Sequence, residues 1–230
     1  MVISGFQKLT LVDYPEHIAC LVFTQGCNLR CPFCHNKDLV CSMNNTNQID
    51  EDVIFRYLDK RKGLIDGVCV SGGEPLLQKD IISFIKKIKE KGYKVKLDTN
   101  GTKPLVLKRL LDENLVDYVA MDVKNSFEGY DKVAGIENVC VDNIKLSIEL
   151  LKDSKINYEF RTTVVKELHN FDNISKICKY LGKNVKYYLQ NYRDCETVLV
   201  KGFHSFSKEE IIEIKNKLIK DYPNISIRGI

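Results

Sequence analysis

Short runs of β-branched and aromatic residues alternate with longer stretches of helical period along almost the whole chain, and that alternation limits the fold more than any other feature. The strand-like runs are His17–Phe23, Gly67–Val70, Lys94–Leu97, Tyr118–Met121, Tyr158–Val164 and Lys186–Gln190. Between them lie the helical stretches Asp52–Lys60, Asp80–Lys91, Pro104–Glu113, Asn143–Lys152 and Asn173–Leu181, with Gly92 and Gly182 as helix stops. Ser207-Lys-Glu-Glu210 is a capping-box signature for a further helix, and Ile225–Arg228 reads as a last short strand. Strand, helix, strand, repeated, implies a parallel sheet with right-handed crossovers. A closed eightfold barrel takes about 250 residues. A chain of 230 residues with six visible units therefore predicts an α/β fold, an incomplete (β/α)6 TIM-like barrel or strongly curved open sheet. No linker-like tract divides it, so 1–230 is expected to form a single domain, with core motifs in 17–191 and a helix–strand extension over 205–230. The most polar loop is Asn44–Asn47.

Charge and cysteine usage narrow the function classes. A net charge of +4, from 35 basic against 31 acidic residues spread evenly, argues for a solvated mixed surface and not for nucleic acid. No run has the length of a membrane span and no signal core opens the chain, so a cytoplasmic protein without a membrane partner is expected. Nine cysteines without a secretion signal do not suggest a disulfide scaffold. Those inside apolar runs, such as Cys20 and Cys69, read as small buried hydrophobes, whereas Cys41 and Cys195 lie in polar surroundings.

Three of the nine crowd into Cys27-Asn-Leu-Arg-Cys31-Pro-Phe-Cys34. Three thiolates on one short loop suit a cubane iron–sulfur cluster with one iron left open, a working site that favours an oxygen-poor cell. The alternative is a structural zinc in an interaction module, with His35 as fourth ligand, although adjacent ligands at 34 and 35 strain a tetrahedral site. Ser71-Gly72-Gly73-Glu74-Pro75 lets a ligand approach the backbone and offers Glu74 to an ammonium; its bland reading is a strand-to-helix turn. Asp98 and Asp122 end apolar strands and need partners: a ribose hydroxyl, a cation, or Lys124 on the same strand face as Asp122. Arg161 suits a carboxylate or a structural salt bridge. The tyrosines Tyr187, Tyr188 and Tyr192 and the run Lys86-Lys87-Ile88-Lys89 have a weaker claim, as stacking surface and wet helix face; His17, His169 and His204 are isolated. Every stronger candidate falls at the C-terminal end of a strand, where parallel barrels gather their chemistry.

Taken together, these residues resemble the radical S-adenosylmethionine (SAM) superfamily. The resemblance rests on Cys-x3-Cys-x2-Cys with Gly72-Gly73-Glu74-Pro75 and runs from Cys27 to about Gln190. Cys34-His35-Asn36, Leu97-Asp98-Thr99-Asn100-Gly101 and Asp122-Val123-Lys124 look like its glycyl-radical-enzyme activases. Gly5-Phe6-Gln7-Lys8, Val12-Asp13-Tyr14-Pro15 and Phe23-Thr24-Gln25-Gly26 resemble the activating proteins of anaerobic ribonucleoside-triphosphate reductase. That likeness implies one 4Fe–4S cluster on Cys27, Cys31 and Cys34, and SAM on the open iron. Phe33 and His35 would flank the adenosine, and Gly72, Gly73 and Glu74 would take the methionyl amine. Asp122, Val123 and Lys124, with Arg161, would take the ribose and carboxylate region, and Gln190 the adenosyl group. It further implies a monovalent cation near Asp98 and Asp122, a glycyl-radical protein as partner, and flavodoxin or ferredoxin as electron donor. Some activases carry a histidine just after the sixth strand, where this chain reads Gln190-Asn191-Tyr192-Arg193.

Overall fold

A computed structural model describes residues 1–41 and 48–230; Asn44–Asn47 and the side chain of Cys41 lie outside the described residues. Among the described residues, eight strands form one sheet in sequential order: β1 (Ile3–Thr10), β2 (Ala19–Thr24), β3 (Gly67–Gly72), β4 (Lys94–Thr99), β5 (Tyr118–Asp122), β6 (Asn157–Val164), β7 (Tyr187–Asn191) and β8 (Ile225–Arg228). β2 to β8 run parallel, and β1 pairs antiparallel with β2. β1 and β8 remain the two edges, so the sheet curves as an open, incomplete barrel.

β1 is absent from the sequence expectation, and its composition explains why. Ile3–Thr10 carries Ser4, Gly5, Gln7 and Lys8, and its pairing with β2 slips register twice, so no clean period-two pattern forms. The first expected parallel strand begins at Ala19 and not at His17. Ile18 N–H is captured by Asp66 Oδ2 at 2.8 Å and His17 N–H closes a turn on Tyr14 O at 3.2 Å, which keeps both amides out of the ladder.

Helices α1 (Lys37–Cys41), α2 (Glu51–Lys60), α3 (Ile81–Glu90), α4 (Pro104–Asp112), α5 (Tyr130–Ala134), α6 (Val141–Lys152), α7 (Phe171–Leu181) and α8 (Lys208–Leu218) include the crossovers. Their starts are set locally. Asp50 accepts from Asp52 N–H at 3.0 Å ahead of α2, and Asn170 with Asn173 and Ser207 with Glu210 close capping boxes. The lysines of α3 are ion-paired: Lys86 with Glu113, Lys87 with Glu51, Lys89 with Asp117. That face is a solvated ion-pair surface.

Strand periodicity sorts the two faces of the sheet. Val68, Val70, Val95, Leu97, Val119, Met121 and Phe160 join Phe84, Ile88, Leu107, Ile148 and Ile174 from the helices in the main core. The concave face is polar instead, carrying Lys96, Asp98, Asp122, Glu159 and Arg161 at alternate positions. At its lower end Arg228 of β8 forks onto Glu159 at 2.6 and 2.9 Å, and Tyr118 Oη donates to the same carboxylate at 2.6 Å. Tyr14, Tyr118, Ala19 and Ala120 fill that end as a separate small cluster. The upper end, at the C-termini of the strands, stays open.

Candidate functional site

The chain leaves β2 directly into the cysteine loop. Leu29 and Phe33 turn inward and anchor it, and Cys34 N–H closes a turn on Cys31 O at 2.9 Å. Two distant segments hold the loop. Arg30 N–H bonds Ala134 O at 2.8 Å, with the Arg30 guanidinium capping Cys27 O and Leu29 O at 2.6 and 2.8 Å. On the other side, Leu199 N–H meets Cys34 O and Val200 N–H meets Pro32 O, both at 2.9 Å. His35 Nε2 lies 2.7 Å from Arg193 O, and its ring packs 5.6 Å from that of Tyr192. His35 is thus exposed and tied by Nε2 to the strap after β7, an arrangement that does not favour its service as a fourth zinc ligand.

Gly72 and Gly73 lie against this loop. Gly73 N–H donates to Thr24 O at 3.0 Å, and Glu74 N–H donates to Gly26 O at 2.8 Å. A β-carbon on Gly73 would collide with Gly26 O, and one on Gly72 with the backbone of Thr24. Only glycine allows this approach. Glu74 is fully buried, and its carboxylate accepts from Thr99 Oγ1 (2.7 Å), Asn100 N–H (2.7 Å) and Leu76 N–H (3.1 Å). It therefore ties the glycine segment to the end of β4.

Burial pushes the Glu74 pKa up to about 7 against the pull of those three donors. An unfolded glutamate titrates near 4.3. Its contribution to stability is therefore fully present below about pH 4 and lost as pH rises through 7. Denaturant midpoints of the cofactor-free protein should fall between pH 5.5 and pH 8, by the equivalent of about 2 kcal/mol. Glu74→Gln should flatten that slope; an equal slope in the variant would assign the titration elsewhere.

The remaining wall is a charge network. Arg161 Nε bonds Asp122 Oδ1 at 2.8 Å and its NH1 lies 3.6 Å from Asp98; Lys124 Nζ bonds Asp122 Oδ2 at 2.9 Å. Lys96, almost wholly buried, pairs with Asp98, which also accepts from Ser71 Oγ at 3.1 Å. Burial alone would raise both aspartates. Arg161 with Lys124 nevertheless holds Asp122 well below the usual carboxylate range, and Arg161 with Lys96 lowers Asp98. Within this network three cations face two carboxylates, so it carries one positive charge in excess.

One cavity of about 200 Å³ collects these groups. Cys27, Cys31, Phe33, Cys34, His35, Gly72, Gly73, Glu74, Asp98, Asp122, Lys124 and Arg161 line it. Val123 turns its side chain into the core, and Gln190, at the end of β7, lies outside the cavity wall. Ser71, Thr99 and Asn100, which the sequence offers only as members of their motifs, line it too, and so does Thr163, which stands outside every motif. Lys96 was missed as well, although period two along Lys94-Val-Lys96-Leu-Asp98 already places its side chain beside Asp98.

The donor set fits a thiolate-bound cluster. All three thiols are free and face the same space. Leu29 N–H points at Cys27 Sγ from 3.4 Å and Asn100 Nδ2 from 3.9 Å, the N–H···S contacts that support a charged sulfur. Burial pushes the Cys31 thiol up to about 11 and raises Cys27, with Lys124 pulling both down. Metal binding would have to displace those protons.

The radical SAM superfamily model matches residues 21–181. A Methanocaldococcus jannaschii chain with the provisional name of a glycyl-radical enzyme activating enzyme is 34% identical across 99% of this chain and 96% of its own length. The pyruvate formate-lyase-activating enzyme of Clostridium pasteurianum is 28% identical across 90% of this chain and 97% of its own. Among solved structures, Streptococcus suis SuiB bound to precursor peptide SuiA superposes with a TM-score of 0.68 at 16% identity. The match covers 91% of this chain and 48% of SuiB, a likeness of fold. Among the described residues, no helix is long and apolar enough to cross a membrane.

Proposed function

The chain belongs to the radical SAM superfamily, in its glycyl-radical enzyme activase family, and from that premise we propose that it generates a glycyl radical on anaerobic ribonucleoside-triphosphate reductase in the cytoplasm. Membership implies one 4Fe–4S cluster and SAM. The observation that carries the reading is the convergence of three free thiols, the Gly72–Gly73 segment and the Asp122–Lys124–Arg161 network on a single cavity at the open end of the sheet.

Cys27, Cys31 and Cys34 would hold the cluster, which, once reduced by flavodoxin or ferredoxin, would supply the electron that splits the SAM sulfonium into methionine and a 5′-deoxyadenosyl radical able to take a hydrogen atom from glycine. The chain's own residues bind and orient. The Gly72–Gly73 backbone, held in place by Glu74, receives the methionyl amine. The excess positive charge at Lys124 and Arg161 receives the carboxylate, with Asp122 beside the ribose. Phe33 and His35 border the adenosine. A closed barrel admits only small molecules, whereas an open sheet edge leaves room for a glycine-bearing loop. The reductase is favoured over other glycyl-radical proteins by the resemblance in Gly5-Phe6-Gln7-Lys8 and Val12-Asp13-Tyr14-Pro15.

The monovalent cation enters this reading in a modified form. Asp98 and Asp122 already pair with Lys96, Arg161 and Lys124, so Lys96 supplies the charge that a bound ion would bring. SAM affinity should therefore be the same in potassium and sodium buffers. Lys96→Met should weaken it about tenfold, the scale of about 1.4 kcal/mol, and make it sensitive to the cation. Strong cation dependence in the unaltered protein would defeat this point.

The decisive test is anaerobic: reconstitute with iron and sulfide, reduce, add SAM, and measure 5′-deoxyadenosine. Electron paramagnetic resonance should then show a glycyl radical when the reductase is added. A radical on pyruvate formate-lyase and none on the reductase would reassign the partner; no 5′-deoxyadenosine from a reduced, cluster-loaded protein would end the reading.

A further inference from the structure

His169 lies outside every motif described above, yet its ring is almost wholly buried and both nitrogens are engaged. It sits in the turn after β6, where its own N–H bonds Val165 O at 2.9 Å. Val165 N–H donates back to His169 Nδ1 at 3.1 Å. Nδ1 must therefore be an acceptor, which leaves the ring proton on Nε2. Nε2–H donates to Lys124 O at 2.8 Å.

The Lys124 peptide needs that bond. The β5–β6 ladder pairs Asp122 with Arg161, and the last bond across it runs from Val123 N–H to Arg161 O at 2.8 Å. Beyond that point, among the described residues, no backbone bond of the sheet reaches Lys124. Side chains take over: Tyr130 Oη accepts Lys124 N–H at 3.1 Å, and His169 satisfies the carbonyl. The same imidazole meets Phe33 of the cysteine loop edge to face, with centroids 6.4 Å apart. One neutral ring thus touches both the lysine that lines the cavity and the aromatic residue between Cys31 and Cys34.

Resting on the functional reading above, we infer that His169 is a positioning residue for SAM, acting through the Lys124 peptide to aim the Lys124 ammonium into the cavity. The two nitrogens can be separated by substitution. In His169→Gln the side-chain amide retains a donor at the Nε2 position. In His169→Asn an acceptor for Val165 N–H is retained and the reach to Lys124 is lost.

Two measurements test the inference. In cluster-free protein carrying 15N-labelled histidine, His169 should show a bare Nδ1 and a protonated Nε2; the opposite tautomer would overturn the assignment. In reconstituted protein, His169→Asn should raise the SAM dissociation constant about tenfold, with iron content and kcat at saturating SAM held, while His169→Gln stays within about threefold of the parent. Equal loss in both variants, or unchanged affinity in His169→Asn, would overturn it. A parent protein that loads its cluster but binds no SAM would sink the functional reading itself, and this inference with it.

Discussion

Cys31→Ala is expected to reduce 5′-deoxyadenosine formation to background and to lower the iron retained after reconstitution. Cys31 is the central thiol of the three and the most buried, so its neighbours cannot swing across to replace it. Its turn with Cys34 is made by the backbone and does not depend on the sulfur, and Leu29 and Phe33 still anchor the loop. The folded chain should therefore survive, because losing one sulfur from a packed site costs on the order of 1 kcal/mol. A variant that is folded, poor in iron and inactive is the predicted result. Full cleavage by Cys31→Ala would mean that the three cysteines are not the cluster ligands.

Gly73→Ala should have an effect of similar size by a different physical route. The added methyl group would meet Gly26 O, a backbone atom at the entrance to the cysteine loop that also receives Glu74 N–H. No side chain can rotate away to relieve the clash. The two backbones must part, which stretches the Glu74 bond to Gly26 and displaces the loop from the cavity wall. The cost should reach about 3 kcal/mol, the upper end for overpacking, and SAM binding should be lost even where the protein still folds at low temperature. Calorimetric titration beside a denaturant series separates the two effects. Wild-type affinity in Gly73→Ala would show that the glycine pair is a simple turn.

The regular parts of this fold were legible because their signals are local. Ser207 and Glu210 announce α8 through a capping box that the structure contains, and Ile225–Arg228 is a strand at the expected residues. The site was legible to the extent that its residues stand in motifs at strand ends. What remained hidden depends on contacts made across the fold. Glu74 reads as a free acceptor, yet it is enclosed by Thr99, Asn100 and Leu76, two of them supplied by β4 and the turn beyond it. His169 reads as isolated because its partner lies 45 positions away in sequence. Arg161 could serve a ligand or an ion pair on sequence grounds; its bond to Asp122 shows that the two roles share one network. β1 escaped notice because an edge strand with slipped register need not alternate cleanly.

The strap that holds the cysteine loop has a consequence for how the protein is made. His35 and Arg193 are 158 positions apart, and Leu199 and Val200 bind the same loop from still farther along the chain. At synthesis rates of about 5–20 residues per second, roughly 8–30 s separate the emergence of the cysteines from that of the segment that pins them. Throughout that interval the cysteine loop lacks the backbone bonds that Leu199 and Val200 supply. An unfinished chain therefore carries its three thiols on a loop that only the later part of synthesis fully pins.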